Sequence, residues 1–282
     1  MNLVSQNYGK QRVRVLKVMR DSPRHEVKEL EVGVRLEGDF ASSYAAADNG
    51  KVVPTDTMKN TVHVLAHRHL GPQTEPFALL LARHFLDEYP QVARATVDAG
   101  ETRWSRMTVD GGPHDHAFVG QAGRPVARVA APRAGPPEIE SGIEELLIMK
   151  STGSGFEGYP KDAYTTLPET KDRILATKLS ARWRWGSAPA GDFDWNAANA
   201  LILEAMLRVF AANYSPSVQA TLFEMAGAAF SACPGISRVY LAMPNKHYLP
   251  LNLKPFGLEN RNASFLPTDE PHGQIEAVVD RS

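Results

Sequence analysis

Apolar residues alternate along Val13 to Met19 and again, with one slip, along Val27, Leu30, Val32, Val34 and Leu36, which predicts two strands. From about Thr57 the period lengthens. Met58, Val62, Leu65 and Leu70 predict one helix, and Phe77, Leu80, Leu81 and Leu86 predict a second from Glu75 to Tyr89. Pro76 suits its first turn and Pro90 ends it. Val92 to Met107 and His116 to Val129 then read as strands. Pro, Gly and Ala thicken from Ala130 to Pro137, which reads as a linker.

The same order follows the linker. Ile143 to Ser151 and Lys178 to Trp185 read as strands, and Asp194 to Asn213 as a helix. The next helix runs to about Ala232, with Ser215 expected as its cap and Pro216 in its first turn. Ile236 to Met243 and His272 to Val279 complete the set. Both second helices meet a proline and then a strand, in "DEYPQVARATV" and "SACPGISRVYL". The pattern is ββααββ twice. Its expected fold class is α+β, with helices on one face of antiparallel sheets, in domains 1–135 and 136–282. Such sheets leave edges to hide, and symmetric association would hide them.

Composition narrows the function. The 282 residues are 43% hydrophobic and 22% charged, with a net charge of −1. That fits a globular protein and argues against a general nucleic-acid binder. No run of about 18 apolar residues occurs, so no membrane-spanning helix is expected. The start lacks a signal-peptide pattern and the end, "VVDRS", is not a peroxisomal tail, so a cytoplasmic location is expected. The single cysteine, Cys233, excludes an intrachain disulfide and is expected to be a buried, inert thiol.

Candidate chemistry is sparse when taken motif by motif. "GSGFEG" at 153–158 matches a dinucleotide fingerprint, but no helix opens after it, so turn glycines around an exposed Phe156 are expected. His67 and His69 sit two apart on a predicted helix and face apart. "GGPHDH" at 111–116 reads as a loop in which Asp115 does not share a face with His114 and His116, and no Cys or carboxylate cluster completes a metal site. In "RWRW" at 182–185 both tryptophans share one face, as expected where a sheet packs on helices. "VVPTDTMKNTV" at 52–62 sets two threonines and an aspartate where a helix begins, which permits either capping or ligand contact.

Five stretches in order carry a resemblance to urate oxidases, the uricase family of tandem T-fold enzymes. They are "YGKQRVRVLKV", "VVPTDTMKNTV", "LLIMKSTGSGFEGYPKDAYTTLPETKDRILAT", "SPSVQATLFEMA" and "MPNKHYLPLNL". The resemblance implies oxidation of urate by O2 and water to 5-hydroxyisourate and hydrogen peroxide, with neither metal nor organic cofactor. It implies Lys10, Thr55 and His247 as a proton relay, and Thr55 and Asn245 as the holders of O2 and water. Arg173 and Gln219 would grip the purine edges, Phe156 would stack on its face, and Asp56 and Val218 would donate backbone N–H groups. A lysine acts as base only where burial or a neighbouring positive charge lowers its pKa. The resemblance further implies a homotetramer with barrel-like closure. Lys10, Thr55 and Asp56 would come from one subunit and the other residues from its neighbour. Pro54 directly before the relay threonine departs from the family pattern and stiffens the backbone there. Two alternatives stay open: another T-fold purine or pterin enzyme, and a non-catalytic purine-binding oligomer.

Overall fold

The computed structural model describes residues 2–189 and 191–281. They fall into two compact units: Met1–Gly142 with Trp183–Ala197, and Ile143–Arg182 with Ala198–Ser282.

The first unit has an antiparallel sheet in the order β1 (Tyr8–Met19), β2 (Glu26–Gly38), β3 (Val92–Thr102) and β6 (Arg124–Pro132). A short helix, α1 (Ala41–Ala45), follows β2. Two longer helices, α2 (Thr55–His69) and α3 (Thr74–Glu88), separate β2 from β3. α2 packs on β1, and α3 on β3 and β6. Burial of Val32, Val34, Leu36, Met58, Val62, Phe77, Leu81 and Phe85 supplies the core. At roughly 1.5–3 kcal/mol for each fully buried large apolar side chain, this set dominates over any exposed ion pair on the surface.

Several expected boundaries move. β1 begins at Tyr8, five residues before the alternating run, because Tyr8, Gly9 and Lys10 pair with Leu36, Arg35 and Val34. A register shift between Lys10 and Val13, with Arg12 at φ 59°, breaks the alternation that a period of two would reveal. The run from Val92 to Met107 is two strands, β3 and β4 (Trp104–Val109). "GGPHDH" is not a loop but the start of β5 (Gly112–Gly120), which pairs with β4 through a two-residue turn. Asp110 and Gly111 take φ 50° and 82° there, the left-handed pair that a tight hairpin requires. The linker is shorter than its composition suggests. Ala130 to Pro132 pair with Thr96 to Arg94, leaving 133–137 between β6 and β7 (Glu138–Lys150).

The second unit repeats the order with β8 (Leu175–Trp185), α4 (Trp195–Ala212), α5 (Val218–Ala232), β9 (Ile236–Ala242) and, at the end of the chain, β13 (Glu276–Asp280). The strands lie in the order β7-β8-β9-β13. α5 packs on β9 and β13. The short β10 (Asn245–Lys246) pairs with β8, while β11 (Tyr248–Pro250) pairs with β12 (Phe265–Pro267). Trp183 and Trp185 are buried, as the alternation of "RWRW" predicts, and the arginines beside them bond Glu144 and Glu140. Cys233 is only half-buried, because it closes the last turn of α5 rather than lying inside it. No helix among the described residues is long and apolar enough to cross a membrane.

Candidate active site

Lys10, Thr55 and Asp56 lie in the first unit. The α2 start resolves the two readings of "PTDT". Its N-cap residue is Pro54, with extended backbone, and no side chain caps the helix. The first intrahelical bond runs from Met58 N–H to Pro54 O at 3.1 Å, so the N–H groups of Thr55, Asp56 and Thr57 have no intrahelical acceptor. Asp56 does not turn back to fill that role. Its carboxylate accepts from Lys59 and, at 3.0 Å, from Asn60 on its own helix. Those contacts, the Lys59 hydrogen bond first and the Lys10 charge last, hold the Asp56 carboxyl below its ordinary range. Thr55 and Asp56 are exposed, and Lys10 is half-buried on β1. The approach to α2 is anchored by the Tyr8 hydroxyl, which accepts from Val53 N–H at 2.7 Å while its ring meets Phe40 edge-on at 4.9 Å.

Phe156, Arg173, Val218, Gln219, Asn245 and His247 all lie in the second unit, and backbone bonds tie their segments together. Gly155 N–H donates to Ser215 O, and Ser215 N–H to Gly153 O, each at 2.8 Å. Arg173 N–H donates to Ser154 O at 2.8 Å. Phe156 exchanges bonds with Thr170, at 2.7 Å and 3.1 Å. The glycine before Phe156 serves close approach: a Cβ on Gly155 would sit 2.2 Å from the Tyr214 hydroxyl and 2.8 Å from Thr170 O. The loop therefore seats Phe156 half-buried, not displayed to solvent as the glycine-rich sequence suggests.

The Arg173 guanidinium lies 5.4 Å over the Phe156 ring. Its Nε is buried and donates to nothing in the protein, and burial lowers its pKa from the ordinary arginine value. An arginine remains cationic under such a shift, so the site holds a fixed positive charge with a spare donor beside an aromatic ring.

The α5 start, unlike that of α2, carries a side-chain cap. Its cap is Ser217, whose hydroxyl accepts from Ala220 N–H at 3.1 Å. This displaces Ser215, the expected cap. Ser215 is buried instead, its hydroxyl bonded to Thr221 and to Ser217 O, because its backbone is committed to the Gly153–Gly155 segment. With Ser217 as cap, the N–H groups of Val218 and Gln219 fall in the first turn and have no intrahelical acceptor. Val218 is buried and Gln219 exposed.

Asn245 pairs in register with Thr177 of β8, and its N–H donates to Gly273 O at 2.8 Å. As antiparallel register partners, Asn245 and Thr177 project to the same face of the sheet, while Arg173 lies just before β8. His247 is half-buried. Its carbonyl is fixed by Thr268, whose N–H and hydroxyl donate at 2.9 Å and 3.0 Å. Among the described residues, four buried side-chain polar atoms lack a hydrogen-bond partner. Three of them, on Ser154, Arg173 and Thr177, fall within this cluster. Such orphans cost about 1–3 kcal/mol each, and their concentration marks a surface built for something other than stability.

The supports for Phe156 were not legible as site residues. Thr170, Tyr214 and Tyr159 act through backbone bonds, close approach and ring contact, and only the Asp-Gly hairpin and Ser217 carried local signals that could have been read. No three His, Cys, Asp or Glu side chains among the described residues are arranged to hold a metal ion.

Comparison with known proteins identifies the family. The family described as Uricase matches residues 6–127 and 139–276. The uricase of Arthrobacter globiformis is 40% identical over 274 residues, covering 97% of this chain and 88% of that protein. The uricase of Oryctolagus cuniculus is 38% identical, covering 100% and 95%. The crystal structure of the Arthrobacter globiformis uricase superposes with a TM-score of 0.93 at 39% identity, covering 100% of this chain and 95% of that one. With matches of this extent on both sequence and structure, the chain belongs to the uricase family.

Proposed function

We propose that the protein oxidises urate with O2 and water to 5-hydroxyisourate and hydrogen peroxide, using no metal or organic cofactor, on two tandem T-fold domains split near 135/136. One observation carries the reading. A half-buried arginine with a buried, unpartnered Nε stands over an aromatic ring, on segments tied by backbone bonds to the start of α5. That combination fits a flat anion. Phe156 offers stacking, Arg173 offers a planar pair of donors to a carbonyl and ring nitrogen, and Val218 offers an N–H at a positive helix end. Gln219 pairs with the opposite purine edge through its amide.

The uncapped start of α2 supplies a second set of donors, at Thr55 and Asp56, for the same anion. As the family resemblance implies, Lys10, Thr55 and Asp56 complete the site from a neighbouring subunit, in a homotetramer whose sheets close into a barrel. Urate near neutral pH is a monoanion. Lys10 accepts its second ring proton through the Thr55 hydroxyl, and the dianion then transfers electrons to O2. Asn245 and Thr55 hold O2 over the ring and later the water that attacks C5, with His247 orienting that water. The two electrons and two protons leave as hydrogen peroxide, and the oxygen of water stays on the product. The protein contributes position and fixed charge rather than a redox group.

The test is to add urate to metal-stripped protein in air. Loss of the urate absorbance with one peroxide released per O2 consumed is the expected result. Purine binding without turnover would replace the reading with a non-catalytic binder, and turnover that requires added zinc would replace it with a different T-fold enzyme.

A further inference from the structure

The loop that carries Phe156 holds a second ring. Tyr159 stacks on Phe156 with centroids 4.8 Å apart and planes 13° from parallel. Its hydroxyl donates to Leu167 O at 2.6 Å, so the ring is pinned at its far end. Gly158 N–H donates to the Glu169 carboxylate at 3.2 Å, and Lys161 bridges the same carboxylate at 3.3 Å while its Nζ lies 5.7 Å over the Tyr159 ring. Together with the paired bonds between Phe156 and Thr170, these contacts staple residues 156–170 into a self-supporting loop.

We infer that Tyr159 is a positioning residue for substrate: its ring backs Phe156 and so fixes the orientation of the ring that a planar anion meets. The inference rests on the proposed stacking role of Phe156. A phenylalanine on a glycine-flanked turn has several side-chain orientations available, and a ligand that stacks on it must select one. A flat partner already fixed by a hydrogen bond removes that selection in advance, so the ligand meets an ordered surface. Each ring of the pair also carries a cation within cation–π range, Lys161 on Tyr159 and Arg173 on Phe156, which holds the pair against splaying.

The experiment uses xanthine, a flat purine, as a binding probe, with urate turnover measured alongside. Tyr159→Leu is expected to weaken xanthine by roughly two- to tenfold, the value of an offset aromatic stack, with the larger share of the urate effect in KM. Tyr159→Phe, which keeps the ring and loses only the hydroxyl, is expected to retain most of the affinity. Tyr159→His keeps a smaller flat ring and falls between the two, which preserves the test should the leucine variant not fold. Xanthine affinity that is unchanged or tighter in Tyr159→Leu, while Phe156→Ala still weakens it, overturns the role of Tyr159 alone. If Phe156→Ala also leaves xanthine affinity untouched, the stacking platform itself is wrong and the inference falls with it.

Discussion

Replacing Arg173 by methionine is expected to move stability and ligand affinity in opposite directions. The side chain is half-buried, its Nε donates to nothing within the protein, and burial already depresses its pKa. Removing a buried, unsatisfied donor relieves about 1–3 kcal/mol. Against this stands the loss of the guanidinium over Phe156, about 0.5–1 kcal/mol at a partly exposed site. Methionine fills a similar volume without polar atoms beyond its sulfur, so little is lost in packing. The balance favours the variant by about 1 kcal/mol, measured as a higher urea midpoint at unchanged slope. Binding goes the other way. Loss of a buried charged donor from an anion weakens it by about 2–5 kcal/mol, which is roughly thirtyfold to several thousandfold in the dissociation constant for xanthine by titration calorimetry. A variant that is less stable and still binds the purine would refute the reasoning, because Arg173 would then be a structural arginine whose donors are satisfied within the fold.

Four further outcomes are expected. Lys10→Met lowers urate turnover far more than it weakens xanthine; an unaltered rate would remove Lys10 from the relay. Ser217→Ala strips the Ala220 N–H of its acceptor and lowers the urea midpoint by the equivalent of about 1 kcal/mol, whereas Ser215→Ala, were Ser215 the cap, would be the variant to show the N-cap signature. Gly155→Ala forces a Cβ to 2.2 Å from the Tyr214 hydroxyl and 2.8 Å from Thr170 O, so urate KM rises and the melting midpoint falls, with both effects absent only if the loop can shift freely. Lys246 holds the Asp269 carboxyl below its ordinary range, so this pair adds stability above the ordinary carboxylate pKa of about 3.9 and loses it as pH falls through the depressed value. Asp269→Asn therefore flattens the acid limb of the stability profile, and an identical limb in both proteins would show that the pair contributes nothing.

Periodicity marked the doubled strand and helix order, the buried face of Trp183 and Trp185 and the helix that begins near Thr55, and cap and proline signals marked the helix that begins near Val218, because all of these are local properties of the chain. The resemblance to the uricase family named the residues to watch, from Lys10 to His247. What periodicity could not reach was anything decided by a distant partner. β1 starts at Tyr8 because β2 offers acceptors there, and its register shift hides the alternation. Ser217 displaces Ser215 as cap because Ser215 is already bonded to Gly153 and Gly155, some sixty residues away in the chain. Cys233 is half-exposed because α5 ends beneath it. The unpartnered Nε of Arg173 and the ring of Tyr159 on Phe156 exist only once Ser154, Thr170 and Leu167 are brought alongside. Sequence fixes which groups a residue can offer; tertiary structure decides whether a partner inside the fold consumes them or leaves them free for a ligand, since a buried donor is satisfied only by an atom that packing places within about 3 Å.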